Sequence, residues 1–177
     1  MELMMVRQGT RRIKIGPVAV GGGAPVTVQS MTNSDTRDAA ATLAQIRRLH
    51  EAGCDIVRVA VPDSKAADSL HEIAASSPIP VVADIHFDHR LALLAIKAGA
   101  HAIRINPGNI GGEKKVREVA EAAGEAGIPI RVGANSGSLP AKFADAKAGG
   151  LNCRAEKLSD ALVKSALQQC RMLERFG

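Results

Sequence analysis

Aromatic residues are almost missing from this chain: three Phe, no Trp and no Tyr, or 2% of 177 residues. A core without large rings must be built from Ala, Val, Ile and Leu, which suits a parallel sheet flanked by helices. The same shortage argues against single-stranded nucleic acid as a partner, because stacking platforms need aromatic faces. Cysteine is also scarce. Cys54, Cys153 and Cys170 are odd in number and share no Cys-x-x-Cys spacing, so they offer neither a disulfide framework nor a zinc knuckle. Cys54 and Cys170 read as small core or helix residues. No apolar run approaches a membrane span and no signal-peptide core stands near the N-terminus, so a cytoplasmic protein without a membrane partner is expected.

What is present is a 46% hydrophobic composition, enough for one domain with a substantial core, and a net charge of +5. With base stacking excluded, that charge fits a phosphorylated small molecule. Three short apolar segments carry an arginine in the middle: Ile56-Val57-Arg58-Val59, Ala102-Ile103-Arg104-Ile105 and Pro129-Ile130-Arg131-Val132. Each follows an Ala-Gly pair: Ala52-Gly53, Ala98-Gly99 and Ala126-Gly127. A guanidinium inside an apolar strand is costly unless an anion or a hydrogen-bond acceptor meets it. Three at matching positions of a repeated unit suggest a pocket for an anion.

Ile13 to Gly23 reads as a small hairpin around Gly16-Pro17. Beyond it, strands centred on Val28, Val57, Val82, Ile103 and Ile130 recur roughly 25 residues apart, the spacing of βα units in a parallel sheet. Helical faces lie between them: Leu43, Ile46 and Leu49 before Gly53; Leu91, Leu94 and Ala98 before Gly99; Val116, Val119 and Ala123 before Gly127. Gly just past a helix supplies the left-handed cap, and Asp63 and Asp88 suit N-caps. Five units with a closing helix over 160–175 make about five-eighths of a (β/α)8 barrel, which takes about 250 residues. The expected fold is α/β: a TIM (β/α)8 barrel truncated to about five βα units after an N-terminal hairpin.

Alternate residues of a strand share a face. Aligning the strands on their arginines gives one layer of Gln29, Arg58, Asp84, Arg104 and Arg131, while Val28, Val57, Ala83, Ile103 and Ile130 turn to the helices. The next residues on the polar side are Met31, Ala60, His86, Asn106 and Gly133, then Asn33, Pro62, Asp88, Gly108 and Asn135. Barrel enzymes place their sites at these strand ends. Gly-rich stretches follow at 106–112 and 133–138, able to present backbone N–H groups to phosphate oxygens. Asp84 and His86 are the catalytic candidates, although Asp84 could instead pair with Arg58 or Arg104. His50, His71, His89 and His101 are expected at the surface, and no metal site is read from these residues. On this reading Arg104→Leu weakens anion binding far more than it lowers stability, because relieving an arginine cluster removes repulsion.

The segments Val28-Gln29-Ser30-Met31-Thr32-Asn33, Asp55-Ile56-Val57-Arg58-Val59, Val82-Ala83-Asp84-Ile85-His86-Phe87-Asp88, Arg104-Ile105-Asn106-Pro107-Gly108-Asn109-Ile110-Gly111 and Ile128-Pro129-Ile130-Arg131 resemble the hydroxymethylbutenyl diphosphate synthase family of the non-mevalonate isoprenoid pathway. The resemblance runs in order from about Gly9 to Gly137, with a looser fit from Pro140 to Lys157. It implies a barrel that binds the cyclic diphosphate of methylerythritol and opens its ring reductively. It also implies a C-terminal iron–sulfur domain, absent here, carrying a 4Fe-4S cluster on three cysteines and a glutamate. A homodimer and a reduced flavodoxin or ferredoxin as electron donor complete the picture. Arg58, Arg104 and Arg131 match the family's diphosphate-binding arginines, and Asn106 and Asn135 fall at other substrate-pocket positions. None of the three cysteines matches a cluster ligand, so the isolated chain is expected to be an inactive part of an oxidoreductase. Two other readings stand beside it: a pterin-binding barrel resembling dihydropteroate synthase, and a non-catalytic phosphate-binding or assembly module.

Overall fold

The computed structural model describes residues 9–106, 109–135, 139 and 151–176. An antiparallel hairpin comes first, β1 (Ile13–Ile15) and β2 (Val18–Val20). Strands and helices then alternate: β3 (Gln29–Met31), α1 (Ala39–Glu51), β4 (Ile56–Ala60), α2 (Ser64–Ser76), β5 (Val81–Ile85), α3 (His89–Lys97), β6 (Ala102–Ile105), α4 (Glu113–Ala126), β7 (Ile130–Val132) and α5 (Leu151–Glu174). The last helix begins before the 160 read from the sequence. Among the described residues no helix is long and apolar enough to cross a membrane.

Local chemistry sets the boundaries. Asp38, Asp63 and Asp88 cap α1, α2 and α3, each carboxylate accepting from a backbone N–H of the first turn, at Ala41, Ala66 and Arg90. At the other ends Gly53, Gly99 and Gly127 take φ of 89°, 90° and 65°, a region that a side chain would strain.

All five strands β3 to β7 are parallel and pair in sequence order. A doubly wound sheet would reverse its order at a switch point, whereas a barrel adds each strand beside the last. The sheet also curls. Arg131 Nη1 on one edge strand donates to Gln29 Oε1 on the other at 2.9 Å. In a flat sheet those strands would lie about 19 Å apart, beyond the joint reach of the two side chains. The strands form an arc of a TIM barrel.

The register shows how the polar layer is built. Gln29 pairs with Ile56, two residues before Arg58, and Arg58 pairs with Val82, two before Asp84. Asp84, Arg104 and Arg131 are directly level. The stagger thus averages one residue per strand, the shear of an eight-stranded barrel. Steps of two preserve the face, so tilted strands hold the five side chains at one height.

Two apolar layers flank the sheet. Outside, Leu43, Ile46, Leu70, Ile73, Val116 and Val119 of the helices pack on Val57, Ala83 and Ile103. Inside, at the N-terminal end, Ile15 of the hairpin meets Ile56, Val82 and Ala102, closing the barrel floor. Burying Ile15 there contributes about 1.5–3 kcal/mol. Gly16 at the hairpin turn has φ 54°, and an added Cβ would stand 2.9 Å from His101 Cδ2. Val81 N–H donates to His101 Nδ1 at 3.1 Å, and burial pushes the imidazole pKa down. His101 is therefore a packed floor residue rather than the surface residue read from the sequence.

Two apolar expectations are corrected. Val28 is 56% exposed, because it precedes an edge strand. Leu94 is 39% exposed while α3 buries Ala92 and Ala95. Helix α3 lies between α2 and α4, and small side chains allow that approach.

Candidate functional site

Asp84 is the centre of the mouth. It sits near the C-terminal end of β5, inward by parity, with its side chain 2% exposed. Three cationic or proton-bearing groups converge on it. Arg104 Nη1 donates to Oδ1 at 3.0 Å. Arg58 Nε lies 3.2 Å and His86 Nε2 3.3 Å from Oδ2. Arg58 also turns Nε and Nη2 toward Met31 Sδ, at 3.3 and 3.2 Å. Asp84 thus pairs with both arginines at once.

Burial grades outward from this point. Arg104 is 14% exposed, Arg58 30% and His86 49%. Arg131 is exposed and held by Gln29 across the arc. Two guanidiniums on one carboxylate, with Arg131 on the same inward layer, leave a cationic excess at strand ends facing away from the hairpin floor. Guanidinium forks suit phosphate geometry, and partial burial strengthens their attraction for an anion.

Asn106, at the end of β6, is buried, and its carbonyl accepts from Asn109 and Ile110 N–H. Asn135 is exposed beyond β7. Pro107, Gly108 and residues 136–138 of the glycine-rich stretches lie outside the described residues, as do 140–150. Beside the arginines, sharing His86, runs a cleft of about 620 Å³ lined by Pro62, Asp63, Phe87, Asp88 and Arg90 among others. Its charges are already matched. Arg37 Nη2 reaches Asp63 at 2.6 Å, and hydrogen bonds from Arg90 hold the Asp88 carboxyl down at about 2. Among the described residues of the mouth, the excess positive charge lies with the arginines.

Sequence reasoning missed three contacts. Strand parity puts Met31 on the polar face, but it does not reveal the contact of its sulfur with Arg58. His89 is half-buried and bridges Asp88 at 3.4 Å and Glu118 at 3.3 Å, while His50 and His71 are exposed as read. Gly133 was read as part of a loop, yet it adjoins the Arg104 guanidinium. No local sequence signal carries these pairings.

The iron–sulfur cluster implied by the resemblance does not fit the side chains described. Cys54 is buried with its thiol donating to the Ile56 carbonyl at 3.0 Å. Burial pushes the Cys170 thiol pKa up, away from the thiolate a metal needs. Among the described residues no three His, Cys, Asp or Glu side chains gather as a metal-binding group.

A parallel arc closed below by a hairpin, with polar side chains converging at the strand C-termini, defines a TIM-barrel domain. Over residues 10–177 the chain matches the family described as the GcpE TIM-barrel domain, and it belongs to that family. It is 53% identical over 175 residues to the 4-hydroxy-3-methylbut-2-en-1-yl diphosphate synthase (flavodoxin) of Caldanaerobacter subterraneus, across 99% of this chain and 47% of that protein. The Clostridium acetobutylicum protein of the same name is 56% identical over 170 residues, 96% of this chain and 47% of that one. The chain thus spans about half the length of the curated relatives it matches.

Solved structures share the fold alone. A putative phosphonomutase from Burkholderia cenocepacia aligns with a TM-score of 0.56 and 15% identity, over 85% of this chain and 65% of that one. The 7,8-dihydropteroate synthase of Vibrio fischeri aligns at 0.52 and 14%, over 70% and 48%. Family membership, carried by nearly the whole chain, decides against the pterin-binding reading.

Proposed function

We propose that this chain is the N-terminal, substrate-binding part of the barrel of a 4-hydroxy-3-methylbut-2-en-1-yl diphosphate synthase. In the whole enzyme, 2-C-methyl-D-erythritol 2,4-cyclodiphosphate takes up two electrons and two protons, loses one water and becomes the linear hydroxymethylbutenyl diphosphate. The observation that carries this reading is the pairing of Arg58 and Arg104 with the Asp84 carboxylate at the mouth, on the inward layer that also holds Arg131, itself bonded to Gln29. A cyclic diphosphate would be held by these guanidiniums, with Asn106 and Asn135 completing the polar rim. Asp84 fixes the two inner arginines. His86, half-exposed beside it, is the candidate to supply a proton as the ring oxygen departs. The 4Fe-4S cluster that supplies electrons would be held outside this chain, in the half of the relatives that it does not span, and so would the contacts of a homodimer. The relatives' names point to flavodoxin as the donor.

Thermal unfolding with added ligand tests this reading. At a hundredfold excess over its dissociation constant, the cyclic diphosphate should stabilise the chain by about 2.7 kcal/mol. A pterin diphosphate at the same concentration should not. Equal stabilisation by both, or by neither, would overturn the assignment.

A further inference from the structure

Arg104 is confined from two directions by residues of different kinds. On one side its Nη1 donates to the buried Asp84 at 3.0 Å. On the other lies Gly133, one residue past β7. A Cβ built there would stand 2.5 Å from Arg104 Nε, 2.6 Å from Nη2 and 2.9 Å from Cζ. The three nearest atoms all belong to one guanidinium. Ordinary carbon contacts need about 3.5–4.0 Å, so a methyl group and this guanidinium cannot share the space.

The backbone of Gly133 makes no such demand. It is not among the glycines with positive φ, and its N–H donates to the Ile105 carbonyl at 2.9 Å, a bond that alanine keeps. The glycine is therefore required neither by a turn nor by a strained dihedral. What needs the missing side chain is Arg104. Arg104 and Arg131 are level across the β6–β7 ladder, so Gly133 lies one inward position above Arg131. A methyl group there would push the Arg104 guanidinium off β7 into the mouth, where the arginines face their ligand.

We propose that Gly133 is a positioning residue for the anion site. Its bare α-carbon seats Arg104 against the end of β7, and Asp84 pins the guanidinium from the β5 side. The spacing of Arg104 from Arg58 and Arg131, and with it a preference for diphosphate over single phosphate, depends on this seat. The ligand class rests on the diphosphate reading above; the seating of Arg104 does not.

Gly133→Ala separates the two. Arginine Nε–H signals in a 15N-labelled chain report each guanidinium without ligand. In Gly133→Ala the Arg104 signal should move while those of Arg58 and Arg131 hold, and the thermal midpoint should fall no further than in Arg104→Leu, because at most the bond to Asp84 is lost. Inorganic pyrophosphate, titrated calorimetrically, should bind about tenfold or more weaker, with orthophosphate less affected. In an Arg104→Ala background, Gly133→Ala should cost nothing further, since the space is empty. Asp84→Glu, which lengthens the opposing side chain, should move the same Arg104 signal and serves should the alanine variant not fold. An unmoved Arg104 signal in a folded variant overturns the proposal, as do losses that multiply in the Arg104→Ala background. A moved signal in a chain that binds no pyrophosphate upholds the seat and removes the diphosphate reading.

Discussion

Arg104 shows how far one residue can be understood without its neighbours. An arginine in an apolar strand signals a partner, but Asp84 is twenty positions away and on another strand. Read alone, the arginines repel one another, and Arg104→Leu relieves part of that repulsion. The structure adds a cost, because the substitution also removes a charge-assisted bond to a carboxylate that is 2% exposed. Arg104→Leu should cost about 1–3 kcal/mol in urea unfolding, with Arg58 and His86 still holding Asp84. Pyrophosphate binding should fall further than that. Unchanged binding with reduced stability would make the pair merely structural. Asp84→Asn is the converse. It keeps the shape and leaves the guanidiniums without their shared carboxylate, at about 3 kcal/mol. Added sulfate should then raise its unfolding midpoint more than it raises that of wild type; an equal rise would contradict the shared-countercharge account.

At the scale of elements, the caps were legible and the packing faces only partly so. Asp63 and Asp88 act where they stand in the sequence, since a cap needs only the backbone two or three residues ahead. Leu94 misled because periodicity favours large apolar residues, whereas α3, between two helices, buries Ala92 and Ala95. Asp88 carries a pH prediction. Hydrogen bonds from the Arg90 side chain and backbone lower its carboxyl from 3.8 to about 2. A carboxylate depressed by folding stabilises fully above its unfolded value and loses that contribution as pH falls through its folded value. Asp88→Ala should therefore be about 1 kcal/mol less stable at pH 7. The gap should close between 3.8 and about 2. A gap unchanged across that window, in urea unfolding at stepped pH, would show that the carboxylate charge is irrelevant to the cap.

The whole molecule is an arc with two open sides among the described residues. β3 pairs only with β4, and β7 only with β6. Beside β3, Val26 is 76% and Val28 56% exposed. Unpaired edges with apolar neighbours template association. The isolated chain should self-associate at concentrations of tens of micromolar, and Val28→Lys should weaken that association. Sedimentation velocity reads both, and a clean monomer across the range would mean that these edges are covered.

The sequence by itself determined the βα unit, the caps, the side of each strand that carries its arginine, and the motifs that identify the family. These are local properties, fixed by the twofold repeat of a strand and the next few backbone groups. Tertiary structure alone decided how the strands are staggered, that Arg131 meets Gln29 across the arc, and that Arg104 lies between Asp84 and Gly133. The physical reason is the stagger. Period two says which face a residue takes, but which residue of a neighbouring strand stands opposite depends on strand tilt, a property of the whole sheet that no single segment encodes.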